Sequence, residues 1–206
     1  MKMKYILVLL TAILFSIQGL LADSPLTSTG ISAAYKEVKI VQAAAKANGE
    51  LTTELMAYLA NKKNPLDVKI ALINELSWNI DGKDNSTAFL AYLQKKKKYK
   101  NIDDFLNKAS GDMIICMAYL KALDNYFEVD DAIRYAQKAK SKNGGSYTVN
   151  IICALIEAQK AMDSDWCKVY NLANNVRINE SLKRDMKQEA IDIIFEYMDL
   201  YNDNCK

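Results

Sequence analysis

Ala118-Tyr-Leu-Lys-Ala-Leu-Asp-Asn-Tyr-Phe-Glu-Val-Asp-Asp-Ala-Ile133 is the stretch that decides the architecture predicted for this chain. The residues at i, i+4, i+7 and i+11 from Cys116 are all apolar and trace one stripe on a helix: Cys116, Leu120, Leu123 and Phe127. The pattern restarts after a short polar interval. The stretch therefore predicts a unit of helix, short turn and helix.

The same unit occurs a second time, 27 residues earlier. Ala91-Tyr-Leu93 followed by Tyr99–Leu106 aligns without a gap with Ala118-Tyr-Leu120 followed by Tyr126–Ile133. Further matches stand at shifts of 34 and 37 residues, which are Ala57-Tyr-Leu59 against Ala91-Tyr-Leu93, and Ile114-Ile-Cys116 against Ile151-Ile-Cys153. These shifts share no single period, so we expect an irregular array of units.

The composition extends the helical prediction to the rest of the chain. Only two prolines and seven glycines interrupt 206 residues that are rich in Ala, Leu, Ile, Lys and Glu. No run alternates apolar and polar residues long enough to indicate a strand. We predict an all-α fold with about ten helices, near 31–47, 50–62, 65–79, 86–99, 102–110, 112–126, 129–142, 147–162, 165–177 and 180–202.

The repeated unit resembles the tetratricopeptide and related α-solenoid repeats, over residues 86–178 or over the whole of 23–206. The resemblance implies antiparallel helix hairpins stacked into a curved array that offers an extended binding surface. The tetratricopeptide pattern Trp-x2-Leu-Gly-x2-Tyr is absent, so only the architecture is carried over. An irregular helical bundle, with helices made similar by similar amphipathic demands, is the alternative.

Residues 1–22 have the pattern of a secretory signal peptide. Lys2 and Lys4 precede an uncharged apolar core, Tyr5–Phe15, and a more polar stretch ends on the small residue Ala22. We predict cleavage after Ala22 and a single domain over 23–206, exported to the periplasm or secreted. An uncleaved membrane anchor is the alternative, and otherwise we expect no membrane span.

The predicted leader also accounts for the excess of positive charge. The chain holds 27 basic and 25 acidic residues, and residues 1–22 contain two lysines and no acid. The domain over 23–206 is therefore balanced at 25 of each. Because nucleic-acid binding needs a persistent positive field, we expect no nucleic-acid partner.

The chain contains no histidine, which removes the commonest general base and several catalytic and zinc motifs. No phosphate-binding glycine loop is present either. We therefore predict no catalytic residue, metal or cofactor, and no enzymatic activity. A carboxylate-dependent hydrolase is the exception that remains open, with Glu54 or Glu75 as imaginable acids.

The four cysteines are Cys116, Cys153, Cys167 and Cys205, and an even count in an exported protein suggests disulfides. Cys153 and Cys167 would differ by roughly 10 Å in height on successive helices, which is too far for a bridge. Cys116 and Cys153 occupy equivalent positions in successive units, which leaves Cys167 with Cys205. Free buried thiols are the alternative, above all for Cys116 on its apolar stripe.

One dense run of basic residues comprises Lys95, Lys96, Lys97, Lys98 and Lys100. It could bind an anionic ligand, or it could complement the dipole at a helix C-terminus. Trp78, which precedes the polar loop 79–85, is read as a core anchor.

Three functions follow from these observations. The first is an exported, non-enzymatic helical-repeat protein that binds a protein or a cell-envelope component. The alternatives are a disulfide-stabilised periplasmic inhibitor or immunity-type protein, and a carboxylate-dependent envelope hydrolase. The oligomeric state does not follow from the sequence.

Overall fold

The computed structural model describes residues 23–79 and 81–206, and the predicted signal segment lies outside the described residues. Within them the fold is all-helical, as predicted, and contains ten α-helices. They are α1 (Lys39–Ala45), α2 (Thr53–Ala60), α3 (Leu66–Glu75), α4 (Asn85–Lys95), α5 (Ile102–Lys108), α6 (Gly111–Asp124), α7 (Asp130–Lys142), α8 (Tyr147–Ala161), α9 (Trp166–Arg177) and α10 (Gln188–Met198). Two 3-10 helices, Ile31–Tyr35 and Asp199–Cys205, stand near the ends of this region.

The helices pack as successive hairpins around two central members. Helices α6 and α8 are buried on almost every side, which is typical of helices in the middle of a core. Helices α7 and α9 bury only one face, of mainly small residues, and each packs on the central helix that precedes it. The runs Ile114–Cys116 and Ile151–Cys153 lie on these two central helices and are fully buried.

Two predicted helices are interrupted in the structure. The predicted 31–47 helix divides at residues 36–38, because the hydroxyl of the buried Tyr35 donates to Asp67 of α3 and accepts from the backbone amide of Lys187. The predicted 180–202 helix begins only at Gln188. The segment before it bonds to the start of α8 instead. The carboxylate of Asp185 accepts from the amide of Thr148 at 2.9 Å and caps that helix.

The first 3-10 helix meets the last α-helix. The 3-10 helix Ile31–Tyr35 packs on both α3 and α10. Lys187, just before α10, donates to the carbonyl of Ala34 at 3.0 Å and pairs with Glu37 at 2.5 Å. These contacts, added to the helix hairpins, join the two ends of the described region.

Basic side chains at several places cap the C-terminal end of a helix to which they do not belong. Their nitrogen atoms donate to carbonyl groups at helix ends, where the helix itself supplies no further amide donor. Among the described residues these pairs are Lys83 to Leu76 and Ser77, Lys98 to Ala60, Lys142 to Asn107 and Ala109, Lys187 to Ala34, and Arg184 to Arg177. These four lysines and one arginine therefore link separate elements of the fold.

The cysteine prediction is half right. Cys167 and Cys205 are paired, with 4.7 Å between their Cα atoms, and join the start of α9 to the C-terminal 3-10 helix. Cys116 and Cys153 are free and buried, so a bridge between these two, implied by their equivalent positions, is wrong and the alternative of free buried thiols is confirmed. Different charged residues influence the pKa of each thiol: Lys69 and Asp112 for Cys116, and Glu157 and Lys140 for Cys153.

We expect both free thiols to resist alkylation in the native protein. Burial raises the pKa of Cys116 and of Cys153 to about 12, so both stay protonated at pH 8 and out of contact with reagent. Iodoacetamide at pH 8 should add no group to the native chain and two groups in 6 M guanidinium, read by mass spectrometry. Modification of either thiol at the rate of an exposed cysteine would contradict the burial described here.

The same shifts predict a loss of stability in alkali. An unfolded thiol ionises with a pKa of about 8.5, whereas the native thiols stay neutral to much higher pH. The stabilisation that comes from keeping both thiols neutral in the fold is therefore fully present below about pH 8.5. The free energy of unfolding should fall as the pH rises from there towards 12. Urea titrations at pH 8 and pH 10.5 measure this, and an equal midpoint at both values would refute it.

Candidate functional site

The turn between α6 and α7 places an aromatic side chain at the surface. Helix α6 ends at Asp124, and the side chain of Asn125 then accepts from the amide of Phe127 at 3.2 Å. This turn buries Tyr126, which is 5% exposed, and leaves Phe127 63% exposed. The two rings stay in contact, with centroids 4.2 Å apart. Phe127 was predicted on the buried stripe of α6, which is wrong because the helix stops three residues earlier.

Trp78 joins this pair from the end of α3. Its ring meets Tyr126 edge to face with centroids 5.0 Å apart, and it is only partly buried. The preceding Ser77 has a positive φ of 59°, which is unusual for a residue with a side chain. Lys83 holds this turn by donating to the carbonyls of Leu76 at 2.5 Å and Ser77 at 2.8 Å. Trp78, Tyr126 and Phe127 are called the aromatic cluster below.

A polar groove of about 640 Å³ lies beside the aromatic cluster. It forms where the N-terminal ends of α4 and α7 meet the C-terminal ends of α6 and α8. Its lining residues are Lys83, Asp84, Ser86, Thr87, Lys121, Asp124, Asn125, Glu128, Asp130, Asp131 and Lys160. Asn125 and Glu128, which line the groove, directly flank Tyr126 and Phe127 in sequence, so the exposed ring of Phe127 lies near the edge of the groove.

Asp124 lines the groove but has a structural task. It is 7% exposed, and its carboxylate accepts from the backbone amides of Asn85 at 3.0 Å and Ser86 at 2.7 Å. It thereby caps α4 from the end of α6. Burial raises the pKa of Asp124 above its ordinary value, although the hydrogen bonds from Ser86 and Asn85 act in the opposite direction.

The charges on the groove wall are only partly paired. Asp131 lies 3.7 Å from Lys121 and 3.0 Å from Arg134, and Asp130 lies 3.4 Å from Lys160. The carboxylates of Asp84 and Glu128 are exposed and have neither a hydrogen bond nor an ion pair within the described residues. Five carboxylates against three lysines give the wall a formal charge of −2.

The two carboxylates considered for hydrolysis lie apart from the groove. Glu75 lines a smaller cavity of about 270 Å³ together with Trp78 and hydroxyl-bearing residues of the N-terminal segment. Glu54 is exposed in the first turn of α2 and lines neither this cavity nor the groove. The structure therefore does not bring this pair together at one site.

The lysine run lies at the opposite end of α4 from the groove. Lys95, Lys96, Lys97, Lys98 and Lys100 are all exposed there. Lys98 donates to the carbonyl of Ala60 at the end of α2 at 3.2 Å, and the ammonium of Lys96 lies 5.6 Å from the ring centroid of Tyr92. Anion binding by this run stays a prediction, because the described contacts are those of helix ends.

Neither Trp78 nor Phe127 was singled out from the sequence as a surface residue. Trp78, predicted as a core anchor, packs partly buried against the core, and the exposure of Phe127 depends on where α6 stops. For Phe127 a local signal exists, since Asp124-Asn125 places two helix-ending residues directly before the aromatic pair. The position of Trp78 depends on Lys83, which holds the turn before it, and on the ring of Tyr126, and the sequence shows neither contact.

Comparison with protein-family models, with curated proteins and with solved structures gives no match for this chain. Its interpretation therefore depends on its own residues. In the part of the chain that the structure describes, no helix is both long and apolar enough to cross a bilayer. No group of three or more His, Cys, Asp or Glu side chains there could hold a metal ion.

Proposed function

We propose that this protein is an exported, non-enzymatic protein of tetratricopeptide-like architecture that binds a partner protein or a cell-envelope component. The observation that carries the proposal is the exposed ring of Phe127, which the aromatic cluster holds beside the polar groove. Aromatic residues are enriched in protein interfaces, where a few of them supply most of the binding free energy. Here Trp78 and Phe127 are held by a fixed turn and by ring contacts before any partner arrives.

Two features support export. The pattern of residues 1–22 is that of a signal peptide, and the paired cysteines Cys167 and Cys205 suit an oxidising compartment. Mass spectrometry of the protein from its native host tests this step. An N-terminus at Asp23 agrees with export and cleavage, and an N-terminus still at Met1 contradicts it.

Binding through the aromatic cluster is tested with two matched variants. Phe127→Ser removes the exposed ring, and Ile178→Ser removes an apolar side chain of nearly equal exposure, 63% against 64%, at the end of α9. The immobilised proteins are incubated with the envelope and secreted fractions of the native host, and bound material is quantified by mass spectrometry. We expect Phe127→Ser to weaken partner binding by about thirtyfold, as for a central interface residue.

The control variant decides how the result is read. Ile178→Ser should keep the partner bound as the unmodified protein does. If Phe127→Ser retains the partner equally well, the aromatic cluster is not part of the binding surface. Thermal unfolding of both variants, followed by circular dichroism, confirms that the comparison is made between folded proteins.

The alternative of a disulfide-stabilised inhibitor is favoured by a different observation. The N-terminal segment and α10 are joined through Tyr35, Lys187 and Glu37, and a disulfide holds the C-terminal 3-10 helix. Such closure makes a rigid body that suits neutralisation of one enzyme or toxin. In that case the captured partner would be a single enzyme whose activity falls when it is bound.

A further inference from the structure

We infer that the segment bound by this surface is cationic: a lysine- or arginine-bearing stretch of a partner protein that lies in the polar groove against the aromatic cluster. The inference rests on the proposed function and names the partner's chemistry. It also chooses a protein partner over an envelope glycan or lipid of negative charge. Three observations on the groove and the rings carry it.

The first observation is the charge of the groove wall. Asp130 and Asp131 are partnered by lysines of the same wall, and Asp124 is occupied as a helix cap. Asp84 and Glu128 remain, exposed on two sides of the groove and without partners among the described residues. A partner that supplies ammonium or guanidinium groups would complete these pairs, whereas an anionic polymer would meet a wall of net charge −2.

The second observation is the state of the aromatic rings. Elsewhere in the described residues, cations of this chain already lie over rings, as Arg184 does over Tyr147 at 4.4 Å and Lys187 over Tyr35 at 4.6 Å. No cation of the described residues lies over Trp78 or Phe127. The exposed ring of Phe127 is therefore not covered by a cation of the described residues, and a cation from outside gains about 0.5–2 kcal/mol from such a contact.

The third observation is the rigidity of the surface. Lys83 fixes the turn that bears Trp78, and its ammonium is occupied by the two carbonyls of that turn. Lys121 and Lys160 are likewise engaged with carboxylates. The lysines of the groove are therefore engaged within the chain, and the charged groups of its wall that are left to recognise a ligand are carboxylates.

A pair of synthetic peptides tests the inference directly. The probe is a fluorescein-labelled decapeptide, Gly-Arg-Leu-Gly-Arg-Leu-Gly-Arg-Leu-Gly-amide, and its counterpart carries Glu in place of each Arg. Fluorescence anisotropy at 50 mM NaCl should show binding of the arginine peptide and at least tenfold weaker binding of the glutamate peptide. Binding of the arginine peptide should weaken as NaCl is raised to 300 mM.

Charge-reversal variants locate the interaction. The double variant Asp84→Lys with Glu128→Lys should bind the arginine peptide at least tenfold more weakly than the unmodified protein. The control pair, Glu180→Lys with Glu189→Lys, changes the net charge equally at exposed acids outside the groove and should leave affinity within twofold. Failure of the arginine peptide to bind, equal binding of the two peptides, or an equal loss in the control pair would each overturn the inference.

The same variants separate this inference from the proposed function. If the natural partner is lost on Phe127→Ser but kept by the groove reversal pair, the surface binds a partner that is not cationic. If the natural partner is kept by Phe127→Ser, the proposed function itself fails at this surface. Loss on both changes, with retention by both controls, supports the two together.

Discussion

Replacement of Asp124 by alanine is expected to lower the free energy of unfolding by about 3 kcal/mol. Asp124 is buried, and its carboxylate receives the amides of Asn85 and Ser86 at the start of α4. Its removal leaves two backbone donors without a partner, each costing about 1–3 kcal/mol, and also removes a negative charge from a helix N-terminus. Urea unfolding followed by circular dichroism measures the loss.

Asp124→Asn provides the matched control for this prediction. An asparagine keeps the shape and one acceptor oxygen, so we expect it to cost about 1 kcal/mol, clearly less than alanine. A neighbouring exposed acid of the groove, Glu128→Ala, should change stability by less than about 0.5 kcal/mol. Alanine at 124 without a measurable loss would show that the cap from α6 to α4 is not part of the stable fold.

Loss of the disulfide is the second large effect. Cys167 and Cys205 enclose a loop with a sequence separation of 38, and such a link restricts the unfolded chain. We expect Cys167→Ser with Cys205→Ser to cost about 3 kcal/mol and to lower the melting temperature by roughly 6–12 °C. Scanning calorimetry of the two proteins gives the difference.

Dithiothreitol supplies the control for the disulfide. The reductant should lower the melting temperature of the unmodified protein by a similar amount and leave the double serine variant unchanged. Cys116→Ala with Cys153→Ala should still respond to dithiothreitol, because these thiols are free in the fold. A response of the serine variant, or none in the unmodified protein, would place the structural disulfide elsewhere.

Element types were predictable because they depend on local pattern, whereas several boundaries were not. The stripe through Cys116, Leu120 and Leu123 lies on a buried helix as predicted. Helix α10 starts eight residues late, because Asp185 and its neighbours bond to the start of α8 across 37 residues of chain. A periodic pattern cannot report a competing partner that is distant in sequence.

The candidate site was less predictable than the fold for the same reason. The exposure of Phe127 follows from a turn of three residues. A periodic pattern that extends over eleven residues does not detect so short an interruption. The position of Trp78 follows from Lys83 and Tyr126, which lie outside its own helix. Asp84 and Glu128 resemble other exposed acids until the ends of four helices place them in one groove.

The amino-acid sequence by itself determined the helical class and favoured the pairing of Cys167 with Cys205, because periodicity and helix rise are properties of the local chain. Only the tertiary structure decided which helix end is capped by which side chain, and that Cys116 and Cys153 stay apart. It also decided where the aromatic cluster meets the groove. These features need groups from distant elements to arrive within hydrogen-bond or ring-contact distance, and packing of the whole core sets those distances.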